Sequence, residues 1–167
     1  MRKYLRCYGP STAADFAAWL GSSPKQARRL WNSLTEELMP VQVEGKTRYL
    51  PAGELDALTE SGGEEERLLL LAPHDPYLDL RDRWVVLPDP ALQRRVWRTG
   101  SNPGALVQGG KILGTWTAKV RGERMGLRID AWDDLTTWQR RQAEEQAQAY
   151  AAFRERELTA FCLDREH

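Results

Sequence analysis

A short amphipathic helix followed directly by a β-hairpin is encoded in residues 23–50, SPKQARRLWNSLTEELMPVQVEGKTRYL, and this stretch decides the fold. Ser23 can cap the helix, and Pro24 suits its first turn. The next apolar residues recur at spacings of three and four, which predicts one buried helical face. That face comprises Ala27, Leu30, Trp31, Leu34 and Leu38.

The neighbouring residues complete a familiar order of elements. A turn marked by Gly45 separates two strand-like runs, residues 39–43 and 47–50, which predicts a hairpin. Upstream, two more helical stripes are predicted, one ending at Gly9 and one beginning at a cap on Thr12. Three helices followed by a hairpin is the order of a winged helix, so we predict a winged-helix domain over residues 1–60.

The outward face of the third helix carries a donor set suited to DNA. Its members recur at helical spacing opposite the apolar stripe: Lys25, Arg28, Arg29 and Asn32. Guanidinium, ammonium and amide groups of this kind bind phosphates and base edges. We expect Lys46 and Arg48 on the wing to contact phosphates. A solvated helix face explains the same pattern, and winged helices also serve as protein-interaction modules.

The rest of the chain is predicted to contain a linker, a β-rich region and a long helix. Residues 61–66, rich in Gly and Glu, are the linker, and residues 67–134 are the β-rich region. An Ala-, Gln- and Glu-rich pattern over residues 136–161 predicts one long helix. The β-rich region should contain strands at 68–71, 84–87, 105–108, 111–119 and 125–132 and a short helix at 89–98. The fold class is therefore α+β.

Charge is segregated along a chain whose total is neutral. The 167 residues hold 24 basic and 24 acidic side chains, but residues 1–50 carry +4 and residues 94–129 carry +7. Residues 51–93 and 130–167 offset them with −7 and −4. In the second basic segment, Lys119, Arg121, Arg124 and Arg128 crowd around one hairpin turn, and Arg94, Arg95 and Arg98 lie on the short helix. Such a hairpin can follow a phosphate backbone, although charges also protect exposed strand edges.

Catalytic and metal-binding patterns are weak. His74-Asp75 lies in a turn-like stretch without an identifiable nucleophile, so we predict no catalytic residue. Two histidines and two distant cysteines have no metal-ligand spacing, and we expect no metal and no cofactor. The sparse cysteines are typical of a reducing cytoplasm, where we expect the protein to act. No apolar run is long enough to cross a membrane.

Three strings, in order, resemble a known family. They are RCYGPST at 6–12 leading into DFAAW at 15–19, LAPHDPYL at 71–78 with RDR at 81–83, and VQGGKILGTW at 107–116. Together they resemble the C-terminal half of bacterial winged-helix DNA-binding proteins related to the AlkZ/YcaQ-type DNA glycosylases. The resemblance covers residues 4–155. It implies that residues 67–134 form a small β-barrel-like domain and that residues 135–167 form a C-terminal helix packed on it.

The resemblance also has consequences for function. The catalytic residues of the family's glycosylases lie in an N-terminal winged helix that has no counterpart here, so the chain is expected to be a fragment or a shortened member. Gln146 and Gln148 imitate a Gln-x-Gln motif, but residues two apart on a helix point in different directions. We therefore expect a non-catalytic protein that binds double-stranded DNA weakly and in a salt-sensitive way. The alternatives are an interaction module that packs against further winged-helix domains, and a glycosylase for alkylated or crosslinked DNA.

Overall fold

The computed structural model describes residues 1–60, 67–79 and 83–165. The chain divides into two compact units, Met1–Gly63 and Glu64–His167. Both units mix helices with a sheet, which confirms the predicted α+β class. The predicted linker, residues 61–66, lies outside the described residues.

In the first unit, three helices precede a two-stranded antiparallel sheet. The described elements are α1 (Arg2–Tyr8), α2 (Ala13–Leu20), α3 (Pro24–Asn32), a 3-10 turn (Thr35–Glu37), β1 (Leu38–Val43), β2 (Lys46–Pro51), a second 3-10 turn (Ala52–Glu54) and α4 (Leu55–Glu60). The predicted N-caps are confirmed, because Thr12 Oγ1 accepts from the Asp15 amide and Ser23 Oγ accepts from the Gln26 amide. Gly21 ends α2 in the left-handed region at a φ of 63°.

The predicted length of the third helix is wrong. The helix ends at Asn32, and Leu38 begins β1 instead of extending the helix. Leu30 is 42% exposed, whereas Ala27 and Trp31 are buried against Phe16 and Tyr4. Leu30 is exposed because of its angle around the helix: Ala27 and Trp31 are one turn apart on the buried face, whereas Leu30 lies about 100° around the helix from Trp31.

The second unit is built on one five-stranded sheet. Its described elements are β3 (Leu68–Leu71), α5 (Arg83–Val86), α6 (Pro90–Val96), β4 (Gly104–Gln108), β5 (Lys111–Arg121), β6 (Arg124–Ala131), α7 (Thr137–Phe153) and β7 (Glu157–Arg165). The strand order is β3-β4-β5-β6-β7. The first four strands are antiparallel neighbours, and α7 crosses over so that β7 pairs parallel with β6.

Three predictions for this unit need correction. The sheet formed by the described strands is open, with β3 and β7 at its edges, and not a closed barrel. The predicted strand at 84–87 is the helical turn α5, because a short apolar run does not distinguish strand from helix. The predicted C-terminal helix over 135–167 stops at Phe153, and β7 follows because Leu158, Phe161 and Leu163 pack against the sheet.

The core of this unit lies on both faces of the sheet. One face packs Leu106, Trp116, Leu127 and Ile129 against the alanines of α7. The other packs Ala105, Val107 and Ile112 against Leu87 and Val96.

Gly104 and Trp116 are directly opposite each other in the β4–β5 pair. A Cβ at Gly104 would overlap the Trp116 indole, whose Nε1 donates to the Leu71 carbonyl at 2.8 Å. Only glycine fits this close approach.

Candidate nucleic-acid interface

The outward face of α3 is a cluster of exposed cations. Lys25, Arg28, Arg29 and Asn32 are all exposed, and with Pro24 they line an open depression of about 470 Å³. None of the three cations forms an ion pair with a carboxylate in the part of the chain that the structure describes. The face therefore presents net positive charge to solvent.

Packing on the opposite side of α3 holds this face outward. Ala27 is fully buried, and the Trp31 ring lies 6.4 Å from Phe16 and 5.9 Å from Tyr49. The Ser23 cap and Pro24 fix where the helix begins. The cations are thus displayed by a helix anchored on its other side.

Arg48 does not lie where the sequence prediction placed it. Its side chain is buried, the residue being 6% exposed, with Nη1 at 3.4 Å from Asp15 Oδ2 and 3.5 Å from the Pro10 carbonyl. Thr12 Oγ1 donates to the same Asp15 oxygen at 2.7 Å. A guanidinium enclosed in this way cannot reach a phosphate, so the predicted wing contact is wrong for Arg48. Lys46, closer to the turn, is exposed.

The hairpin formed by β5 and β6 displays the second cluster. Arg121 pairs directly with Arg124, and Lys119 pairs with Gly126, so these three basic side chains share one face of the sheet. All three are exposed, and within the described ranges none of them forms an ion pair. The structure brings them together as the sequence predicted.

Arg128 lies on the same face but is neutralised. Its Nε donates to Asp130 Oδ1 at 2.8 Å, and its Nη2 lies 3.2 Å from Asp164 Oδ2. The hydrogen bond with Asp130, followed by the charges of Asp130 and Asp164, raises the pKa of Arg128. Sequence reasoning missed the Asp164 contact because Asp164 belongs to β7, which was predicted as helix.

The basic residues around α6 are partly engaged with aromatic rings. The Arg95 guanidinium lies 5.8 Å from the centre of the Trp132 ring, and Arg83, which was not predicted as a binding residue, lies 4.6 Å from the Trp97 ring. Arg98 Nε donates to the Arg95 carbonyl. Arg94 is exposed.

The remaining candidate catalytic residues, His74 and Asp75, lie in a turn. His74 is exposed, and Asp75 Oδ1 accepts from the Tyr77 amide, which is the geometry of a turn. No group of three or more His, Cys, Asp or Glu side chains among the described residues could hold a metal ion. No helix in those residues is long and apolar enough to cross a bilayer.

Comparisons with known proteins agree on one family. The family model described as DNA glycosylase AlkZ-like matches residues 1–153. A curated protein of Streptomyces sahachiroi, an interstrand DNA cross-link repair glycosylase, is 29% identical over 127 residues, which are 70% of this chain and 32% of the relative. The solved structure of Streptomyces sahachiroi DNA glycosylase AlkZ superposes with a TM-score of 0.73 at 21% identity, covering 99% of this chain and 44% of the other. The chain therefore spans less than half the length of either relative.

Proposed function

Because the chain belongs to the AlkZ-like DNA glycosylase family, we propose that it binds double-stranded DNA in DNA repair and that its own residues have a binding role. The observation that carries this proposal is the pair of exposed clusters whose cations have no carboxylate partners among the described residues. One is the α3 face, and the other is the β5–β6 hairpin. Cations of this kind provide most of the affinity of a protein for the DNA backbone.

In this proposal the first unit is a winged helix that docks through α3. The three helices and the β1–β2 hairpin have the required order, and α3 carries its cations on the side away from the core. Such a helix lies in or across a groove, with Asn32 able to reach base edges. Lys46, at the start of β2, supplies the wing's phosphate contact.

The β5–β6 hairpin provides a second phosphate contact. Lys119, Arg121 and Arg124 stand on one face of a paired, hydrogen-bonded ladder, so their spacing is fixed before DNA arrives. Contacts of this kind hold and orient a duplex without reading its sequence. In a repair protein, the hairpin would hold damaged duplex while another domain acts on it.

Base excision is not assigned to these residues. His74, which was considered as a general base, is exposed, and Asp75 is engaged in a turn. Gln146 and Gln148 flank the buried Ala147 on α7 and cannot converge on one substrate atom. The relative's name refers to cross-link repair, so crosslinked duplex is one substrate to offer this chain.

Salt-dependent DNA binding tests the proposal. We expect the affinity for a short duplex, measured by fluorescence anisotropy, to fall steeply with salt. The double variants Arg28→Ala/Arg29→Ala and Arg121→Ala/Arg124→Ala should each lower the slope of log K against log salt by about two, or about one for each phosphate that the variant no longer neutralises.

The matched control is Arg140→Ala/Arg141→Ala, which removes two adjacent arginines from α7, outside both clusters. Its slope should remain that of the unmodified protein. Equal slopes for all variants would show that the charge effect is not local. Absence of binding at low salt would overturn the DNA-binding proposal.

A protein-interaction module is the second candidate, favoured by an exposed apolar patch on the first unit. Trp19 and Leu20 are exposed at the end of α2, with the Trp19 ring 5.0 Å from Tyr4. Failure to bind DNA, together with weaker binding of a partner protein by Trp19→Ser, would support this candidate. Base release from alkylated or crosslinked DNA by the isolated chain would instead show that the chain is itself a glycosylase.

A further inference from the structure

The five-stranded sheet has two unequal edges. At one edge β3 contains only four residues, and a short edge strand limits unwanted pairing. At the other edge β7 contains nine residues, ELTAFCLDR, without a proline or a lysine. Alternate residues of β7 direct their amide and carbonyl groups away from β6. Within the described ranges, the one backbone hydrogen bond of β7 outside the β6 ladder joins the Glu157 amide to the Glu123 carbonyl. The described residues therefore leave the outer edge of β7 open to pairing.

The regular part of this edge begins after a bulge. The register with β6 shifts between Met125 and Gly126, which interrupts the start of β7. From residue 160 onward the side chains alternate regularly between the two faces. Phe161 and Leu163 point to the side of α7 and pack, half-buried, against the core of the sheet. They lie at the margin of that core, because no further strand in the described residues pairs beyond β7.

The charges at the end of β7 are already paired within the chain. Asp164 Oδ2 lies 3.2 Å from Arg128 Nη2, and Arg165 Nη1 donates to Asp134 Oδ2 at 2.9 Å. A charge at a sheet edge opposes an added strand because the charge loses water without gaining a partner. These two charges have partners, so they oppose an added strand less than unpaired charges would.

We infer that the β7 edge pairs with β7 of a second copy of this chain, antiparallel, about a two-fold axis at Cys162. Such an axis makes the same surface meet itself. It sets Phe161 opposite Leu163 of the second copy, so that apolar side chains meet on the side of α7 and the two cores join. On the other face, Ala160 lies opposite Asp164 of the second copy. The inference does not rest on the proposed DNA binding.

The bulge and the apolar pattern select this axis over its neighbours. An axis at Phe161 would set Leu158, on the α7 face, opposite Asp164, on the other face, because the bulge reverses the alternation. An axis at Leu163 would set Phe161 opposite Arg165. The axis at the residue between them pairs apolar with apolar side chains and keeps every pair on one face.

The proposed pairing joins two sheets of five strands into one of ten. An axis perpendicular to the sheet does not exchange its faces, so the exposed faces that carry Lys119, Arg121 and Arg124 lie on the same side in both copies. Pairing over residues 160–164 covers less surface than a standard interface of about 1,600 Å². We therefore expect a dimer that dissociates on dilution.

Sedimentation velocity and thiol crosslinking test this inference. The sedimentation coefficient should rise reversibly with protein concentration. In the Cys7→Ser variant, a short bismaleimide should join two copies through Cys162, because directly opposite side chains have Cβ atoms about 5 Å apart. The matched control is Cys162→Ser, which keeps the other exposed thiol and should remain uncrosslinked.

Two substitutions of the exposed Ala160 test the register. Ala160→Asp sets a carboxylate opposite Asp164 at two symmetric points, and we expect the dimer to dissociate about tenfold more readily. Ala160→Lys sets an ammonium opposite the same carboxylate and should strengthen the dimer. Within one chain the opposite order holds, because residue 160 lies diagonal to Arg128, which favours a carboxylate.

Three outcomes overturn the inference. One is a monomer at every concentration, and slow hydrogen exchange of the outward β7 amides in that monomer would mean that another segment of the chain covers the edge. Another is a dimer that is crosslinked through Cys7 and not through Cys162, which places the second copy on a different surface. The third is an equal effect of Ala160→Asp and Ala160→Lys. Each leaves the DNA-binding proposal intact, because that proposal is tested by salt-dependent affinity.

Discussion

Two of the hairpins, β1–β2 and β5–β6, each have a glycine-marked turn and nearby cations, yet they use those cations in opposite ways. In the β1–β2 hairpin, Arg48 points inward and is buried against Asp15. In the β5–β6 hairpin, Arg121 and Arg124 point outward with no carboxylate partner among the described residues. The first arginine stabilises its unit, and we propose that the other two bind phosphate.

The difference shows that the face of a strand together with the distance from the turn, and not the count of charges near the turn, decides what a basic residue does, because Lys46 shares the face of Arg48 but lies next to the turn and is exposed. Side chains two apart on a strand share a face. Arg48 shares its face with the buried Leu50, whereas Arg121 shares its face with Lys119 and Thr117. The buried neighbour marks Arg48 as a residue on the core side.

The largest expected effect comes from removing the inward arginine. Arg48→Ala leaves the Asp15 carboxylate partly buried without its guanidinium, and we expect the free energy of unfolding to fall by about 3 kcal/mol. Urea denaturation followed by tryptophan emission measures this change. The slope of DNA affinity against salt should stay the same.

Lys46→Ala is the companion variant on the same strand, and we expect it to change the salt dependence of DNA binding and not the stability. Its side chain is exposed, so the free energy of unfolding should change by no more than about 0.5 kcal/mol. Its salt slope should fall by about one. If Arg48→Ala were as stable as the unmodified protein and lost salt dependence, the contrast between the two hairpins would be wrong.

A smaller effect is expected from freeing Arg128 from the two carboxylates that neutralise it. Asp130→Asn/Asp164→Asn removes both carboxylates that contact Arg128. We expect DNA affinity at low salt to rise several-fold and the salt slope to increase by about one, because one more cation can contact phosphate. Because exposed ion pairs contribute little, thermal stability should hardly change.

Asp133→Asn/Glu144→Gln changes the net charge equally, at two carboxylates that form no ion pair in the described part of the chain, and is the control for this variant. It should alter DNA affinity less than the release of Arg128 does. Equal gains in the two double variants would mean that total charge, and not the hairpin, controls binding.

The smallest effect concerns an exposed ion pair, the counterpart of the buried Arg48–Asp15 pair in the same unit. Arg2 Nε and Nη2 donate to the Glu37 carboxylate at 2.7 and 2.6 Å, and the hydrogen bond with Arg2 lowers the pKa of Glu37. A lowered folded-state pKa stabilises the fold above the ordinary pKa of about 4.3, and that stabilisation is lost as the pH falls through the folded value.

Thermal melts between neutral and acidic pH measure this contribution. Glu37→Gln should lower the melting temperature slightly at neutral pH and should differ less from the unmodified protein in acid. Added salt should shrink the difference at neutral pH. A difference that grew on acidification would contradict the assignment.

Elements with local signals were predicted well from the sequence. The caps at Thr12 and Ser23 and the Gly109-Gly110 turn between β4 and β5 depend on nearby residues, and the structure has all three. The end of α3 and the strand β7 depend on packing against distant residues. Phe161 and Leu163 alternate as strand residues do, but their run is too short to outweigh the helical composition before it.

The residues of the candidate site fall into the same two groups: some follow from local sequence signals, and others depend on contacts with distant residues. The α3 face follows from helical spacing alone, and the cluster on the β5–β6 hairpin follows from its turn. The burial of Arg48 could have been predicted from the sequence, because Arg48 and Leu50 are two residues apart on the same strand. The contact of Arg128 with Asp130 could be predicted in the same way, because the two residues are two apart on one strand. The contact with Asp164 could not, because Asp164 lies on a strand joined to the sheet by a crossover helix.

Gly104 and Trp116 are expected to change together in evolution. The indole occupies the space that any side chain at 104 would need, and its Nε1 hydrogen bond to Leu71 joins a third strand to the pair. A side chain at 104 would also meet the Leu71 carbonyl oxygen, so enlarging residue 104 requires both a smaller residue 116 and a shift of β3, whereas shrinking residue 116 alone leaves a cavity and an unsatisfied carbonyl. Either first step is costly on its own. Related chains should therefore keep both residues, or replace both together with a compensating change at the end of β3.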